Sequence, residues 1–125
     1  MIVDTDVLID YFRGLELAKS KLASLVPFRI SAITLMELLQ GARNKNMMRI
    51  IERQLKVWNV SVIQTTEATS IRAVQFVREF ALSSSVQAAD ALIAATAIEE
   101  GETLLTGNEK HFRCIPGLSI EVFKH

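Results

Sequence analysis

Met1-Ile2-Val3-Asp4-Thr5-Asp6-Val7-Leu8-Ile9 opens the chain. A short apolar run that stops at acids reads as a buried strand with carboxylates at its C-terminal end. Val7 to Phe12 then predicts a short helix, with Gly14 as its stop. Outward from there the same alternation repeats. Leu15 to Leu25 has helical spacing and Pro27 breaks it. Phe28-Arg29-Ile30 is a second strand, and Ser31 or Thr34 caps a helix running to about Gln40, before Gly41. Asn46 to Trp58 is an amphipathic helix and Val60 to Ile63 a strand. Helices over Glu67 to Ala81, opened by Thr65 or Thr66, and over Gln87 to Glu99 follow, then strands at Thr103-Leu104-Leu105 and Leu118 to Phe123. Strands alternating with helices predict a single three-layer α/β/α domain, residues 1–125, with a central, mainly parallel sheet. The strands read as continuous apolar runs, as parallel strands covered on both faces do. Ligands in such sheets bind beyond the C-terminal strand ends. Asp4 lies at one such end, and Thr106, Gly107 and Asn108 at another.

At 125 residues with 50% hydrophobic content, the chain is long enough for one core and too short for two. The composition is too apolar for disorder, and no apolar run is long enough to span a membrane. Acids precede any basic residue at the N-terminus, which argues against a secretory signal. The single cysteine, Cys114, excludes a disulfide framework and a cysteine-rich zinc site, so a cytoplasmic protein is expected. With 14 basic and 14 acidic residues the formal net charge is zero, and bulk charge does not recruit a nucleic acid.

Three carboxylates stand where a carboxylate is costly: Asp4 after its strand, Glu37 in Ile33-Thr34-Leu35-Met36-Glu37-Leu38-Leu39, and Asp90 in Ala88-Ala89-Asp90-Ala91-Leu92-Ile93-Ala94-Ala95. No Lys or Arg lies within a helical turn of Glu37 or Asp90. Each acid also has a plain structural reading. Asp4 can cap the first helix. Thr34 and Glu37 have capping-box spacing. Asp90 lies in the first turn of its helix, where the dipole favours an anion by about 0.3–1 kcal/mol. Such gains do not offset the desolvation of three acids together. Convergence around a divalent cation does. Oxygen donors without His or Cys suit Mg²⁺ or Mn²⁺, and such sites hydrolyse phosphodiesters by activating water. Like charges sharing a site should raise the pKa of at least one of them.

Four blocks in order, Met1-Ile-Val-Asp4-Thr-Asp-Val-Leu-Ile9, Ile30-Ser-Ala-Ile-Thr-Leu-Met-Glu37-Leu-Leu-Gln-Gly41, Ala89-Asp90-Ala-Leu-Ile-Ala-Ala-Thr-Ala97 and Leu105-Thr106-Gly-Asn108-Glu-Lys-His-Phe112, resemble the PIN domain, most closely the VapC-type toxins. The resemblance covers nearly the whole chain. It implies a Mg²⁺- or Mn²⁺-dependent ribonuclease in which Asp4 and Asp90 hold the metal and Glu37 positions or deprotonates the attacking water. Asn108 would assist as ligand or water-binder, with Thr5, Asp6 and Thr106 in support. The chain departs from members with four acids, because Asn108 stands at the fourth position. The resemblance further implies RNA as substrate, a small cognate antitoxin as partner, and homodimerisation.

Arg43, Lys45, Arg49, Arg53 and Lys56 form a basic stripe that can bind RNA phosphates or simply be a solvated helix face. His111 in its loop and His125 at the end of the chain read as bystanders, Glu109 as a solvated acid, and Trp58 as core. Two other functions fit the alternation. A receiver-type signalling module needs an Asp at the end of its third strand, and Val60-Ser-Val-Ile-Gln-Thr-Thr has none. A haloacid-dehalogenase-like phosphatase fits Asp4-Thr-Asp6-Val but lacks an evident late pair of acids and a lysine.

Overall fold

The computed structural model describes residues 1–124, so His125 lies outside the described residues. Five strands form one sheet: β1 (Ile2–Val3), β2 (Arg29–Ser31), β3 (Ser61–Ile63), β4 (Leu104–Thr106) and β5 (Ile120–Val122). Their order is β3-β2-β1-β4-β5, and every pairing is parallel. The helices are α1 (Thr5–Phe12), α2 (Glu16–Leu25), α3 (Ala32–Gln40), α4 (Lys45–Val57), α5 (Glu67–Ser84), α6 (Ala88–Glu100) and a four-residue α7 (Glu109–Phe112). The expected elements are all present. The short α7 went unforeseen, since a single turn carries no periodic signal. Strand β4 also lies one residue later than Thr103-Leu104-Leu105, which brings Thr106 into the sheet edge.

Successive strand residues face opposite layers, and the core divides accordingly. Ile2 and Leu104 pack with Ala73, Phe76, Ile93 and Ala94 of α5 and α6. Val3 and Leu105 pack with Val7, Leu22, Leu38, Ile51 and Leu55 of α1 to α4. The small residues Ala91, Ala94, Ala95 and Ala97 let the buried α6 lie close to α5 and the sheet. Trp58 is half-buried and packs against the core of the second layer, edge-on to Tyr11 with ring centroids 4.7 Å apart.

The helix starts explain much of the local order. Ser31 accepts from the Thr34 amide, Asn44 from Met47 and Thr66 from Thr69, so each side chain satisfies an amide the helix leaves free. Strand order runs outward from β1 on one side and from β4 on the other. The direction of winding therefore reverses between β1 and β4, where an open parallel sheet leaves a crevice at its C-terminal edge. Asp4 ends β1 at this crevice and Thr106 ends β4. A receiver-type domain winds in the order 2-1-3-4-5, and the observed order excludes that rival.

Candidate functional site

Asp4 is the N-cap of α1 and is 6% exposed. One of its oxygens, Oδ1, accepts from the Thr5 amide at 2.8 Å, and Oδ2 accepts from Thr106 Oγ1 at 2.7 Å. Thr106 Oγ1 in turn accepts from the Asn108 amide at 2.9 Å, so β4 and its loop are tied to the carboxyl that ends β1. Capping thus occurs, but it uses one lone pair and leaves the carboxyl at the crevice.

Asp6 lies one residue into α1 beyond Thr5. Its Oδ2 accepts from the Gly107 amide at 3.0 Å, while its Oδ1 is buried without a hydrogen-bond partner among the described residues. Gly107 permits this approach, because a Cβ at that position would stand 2.8 Å from Asp6 Oδ2. Burial pushes the Asp4 carboxyl up to about 7, with the Asp6 charge adding to it and Asp90 contributing further; the hydrogen bonds from Thr106 and Thr5 act the other way. Burial also raises Asp6, against the hydrogen bond that its carboxylate accepts from the Gly107 amide. Like charges cannot both ionise freely at such proximity.

The expectation that three acids are fully desolvated needs correcting. Only Asp4 is buried, while Asp6, Glu37 and Asp90 are half-buried at the rim. Glu37 does not close a capping box with Thr34. The first turn of α3 is capped by Ser31, which frees Glu37 Oε1 to accept from Thr5 Oγ1 at 2.7 Å. Thr5 Oγ1 also lies 3.1 Å from Thr34 Oγ1, so Thr5 links α1 to α3 beside the acids. Asp90 does have a capping role, its Oδ2 accepting from the Gln87 amide at 3.2 Å. The same Oδ2 lies 3.2 Å from His111 Nδ1, and that nitrogen is 2.9 Å from Asn108 Nδ2. His111, read from sequence as a bystander, is thus the neighbour of two expected site residues. Short helix α7 delivers it, and no local motif marks that turn.

The candidate site residues come from β1 and α1, from α3, from the first turn of α6, and from the β4–α7 loop. Among the described residues, no three Asp, Glu, His or Cys side chains are already arranged as a finished metal cage. The donor set nevertheless fits a hard divalent cation. It is all oxygen, it includes an unpartnered buried carboxylate oxygen, and it concentrates negative charge that a cation would offset. A cation that keeps several waters needs only one or two direct carboxylates.

The basic stripe is exposed at Arg43, Lys45, Arg49 and Arg53, and none of these forms an ion pair among the described residues. Arg43 also lines a groove of about 520 Å³ between α1, α3 and α4, with Arg13, Glu37, Asn44 and Met47. Arg13 had no motif to mark it; the fold brings it to the groove.

The chain is thus an open parallel α/β domain with an acidic cluster at its switch point. Residues 1–117 match the PIN domain model, and the chain belongs to that family. It is 35% identical over 120 residues to Ribonuclease VapC10 of Mycobacterium tuberculosis, covering 90% of this chain and 85% of that protein. A chain in a toxin–antitoxin complex from Klebsiella pneumoniae superposes with a TM-score of 0.79 at 31% identity, covering 94% of this chain and 93% of its own. A chain of DNA-bound VapBC from Salmonella typhimurium gives a TM-score of 0.82 at 26% identity, over 97% and 96%.

Proposed function

We propose that this chain is a divalent-metal-dependent endoribonuclease and the toxin of a toxin–antitoxin pair. The observation that carries the reading is the buried Asp4 carboxyl beside the unpartnered Asp6 Oδ1 at the β1/β4 switch point. The likeness to a VapC ribonuclease and to toxin–antitoxin complexes supports the substrate class and the partner. PIN nucleases in general work with a divalent cation, and an all-oxygen site points to Mg²⁺ or Mn²⁺. Bound there, the cation supplies an activated water and neutralises phosphate charge.

In this reading Asp4 and Asp90 hold the cation, and Asp6 completes the acidic wall. Glu37, oriented by Thr5, positions or deprotonates the attacking water. Thr106 fixes Asp4, and Asn108 assists as a neutral ligand or water-binder. Arg43, Lys45, Arg49 and Arg53, with Arg13 in the groove, carry RNA phosphates past Glu37. A small cognate antitoxin would cover this region, and the toxin would act in the cytoplasm as a homodimer. No helix among the described residues is long and apolar enough to cross a membrane.

The test is cleavage of single-stranded RNA by the purified chain with Mg²⁺ or Mn²⁺ and its loss in chelator. Asp4→Asn and Asp90→Asn should each abolish cleavage with circular dichroism unchanged. Cleavage that persists in both variants places the activity elsewhere. Expression alone should arrest growth, and co-expression with the adjacent small reading frame should restore it.

A further inference from the structure

We propose that His111 is a positioning residue whose single ring nitrogen Nδ1 is shared between Asp90 and Asn108, and that loading the site with a cation transfers Nδ1 from the first to the second. The inference deepens the ribonuclease reading and rests on it for the identity of the site. Nδ1 lies 3.2 Å from Asp90 Oδ2 and 2.9 Å from Asn108 Nδ2. These two neighbours make opposite demands. A carboxylate oxygen only accepts, so Asp90 needs a hydrogen on Nδ1. An amide nitrogen only donates, so Asn108 needs a lone pair there. A neutral imidazole carries its hydrogen on one nitrogen at a time and can satisfy only one of them in this arrangement.

The state of the site decides between them. Without a cation, the Asp90 carboxylate is the stronger partner, because hydrogen bonds to carboxylate acceptors are about twice as strong as neutral ones. The ring then carries Nδ1–H. With a cation on Asp90, the charge that attracts Nδ1–H is shared with the metal. If Asn108 turns its Oδ1 to the cation or to a water on it, its Nδ2–H becomes the more polar donor. Both changes favour a lone pair on Nδ1. The ring hydrogen leaves Nδ1 for solvent, one returns on Nε2, and the ring stays neutral throughout. Asn108 is thereby held with Nδ2 on His111 and Oδ1 free to face the site. A neutral fourth ligand lacks the charge that would hold it in place, and His111 supplies that hold. The position of His111 is itself fixed, since Phe112 beside it is buried in the core and the His111 amide donates to Asn108 O at 3.2 Å.

The experiment uses the full chain and Mg²⁺ alone as probe. Two-bond ¹H–¹⁵N spectra of the histidine rings, recorded at alkaline pH, should report Nδ1–H without metal and Nε2–H at saturating Mg²⁺. Calorimetry should show Mg²⁺ affinity falling about 10- to 100-fold in His111→Ala, the range usual for residues that orient ligands. His111→Asn, whose amide reaches the place of Nδ1, should recover affinity to within a few-fold of wild type. Both variants lose the ring, so a packing role predicts equal affinities for them. The inference is overturned by a ring hydrogen that stays on one nitrogen across the titration, by His111→Ala binding Mg²⁺ as wild type does, or by Asn failing to rescue. RNA cleavage by wild type in the same preparation separates the two readings. If cleavage is intact and the ring does not respond, only the role of His111 falls. If cleavage is absent and the ring responds, the ribonuclease reading falls.

Discussion

Replacing Asp4 by Asn should make the metal-free protein more stable at neutral pH and less stable in acid. The Asp4 carboxyl is pushed from 3.8 up to about 7, first by burial and then by the Asp6 charge. Moving the carboxyl that far corresponds to about 4 kcal/mol. Because the folded value lies above the unfolded one, folding carries no penalty from this group below pH ~4. The penalty grows as pH rises and is complete above about 7. Asn has no charge to desolvate and removes it. The substitution has its own cost. Asn Oδ1 can still accept from the Thr5 amide, but Nδ2 would face Thr106 Oγ1, which now must accept where it donated. Since that hydroxyl already accepts from Asn108, its hydrogen loses its partner, worth about 1–2 kcal/mol. The net is a gain of about 2–3 kcal/mol at pH 8 and a loss of about 1–2 kcal/mol at pH 4. For a chain of 125 residues that gain is about 10 °C in melting temperature. Thermal melts by circular dichroism from pH 4 to 8 in chelator measure the difference, and the two stability curves should cross. A variant that melts lower than wild type at pH 8, or a gap constant with pH, would show that burial of the Asp4 charge does not set this stability. Saturating Mg²⁺ should narrow or reverse the gap by stabilising only the wild-type site.

Cation binding should release close to one proton at pH 6, where Asp4 is still mostly protonated, and almost none at pH 8.5. Calorimetry in buffers of different ionisation enthalpy counts the protons; no release at pH 6 would remove Asp4 from the ligand set. Gly107→Ala should drive a methyl against Asp6 Oδ2 and lower metal-supported cleavage about tenfold or more without unfolding the domain. Wild-type kinetics in that variant would show that Asp6 has no part in the site. Replacing Arg43, Lys45, Arg49 and Arg53 together by Gln should weaken RNA binding and flatten its salt dependence by about 0.7 per lost phosphate contact. An unchanged slope would make the stripe a solvated face and nothing more.

The architecture was legible because the strongest signals are long and local. The all-apolar run of α6 can only be a buried helix, and Met1-Ile2-Val3 before Asp4 can only be a covered strand in a chain that alternates as this one does. Parallel pairing follows from that alternation. The strand order does not, because nothing in an apolar tripeptide says which neighbour it takes. That order is what sets the switch point between β1 and β4, and it is what separates this fold from a receiver domain.

The candidate site was legible as residue types and less so as contacts. Asp4, Glu37 and Asp90 stand out because each is an acid in an apolar stretch, and that signal needs no partner. Asp6 gave a weaker one, since an acid in the first turn of a helix is ordinary. Its weight comes from a glycine 101 positions away that lets it turn inward and leaves one oxygen unpartnered. His111 gave none, because its value depends on reaching Asp90 across the crevice from a four-residue helix. The acids that make the site costly are visible along the chain, whereas the groups that make it bearable arrive from other elements. Thr106, Gly107 and His111 all come from the β4–α7 edge and meet Asp4, Asp6 and Asp90 in turn. The segment from the end of β4 through α7 thus holds three acids from two helix starts, so a change in its path moves the whole candidate site at once, while a change in any single acid leaves the other two held.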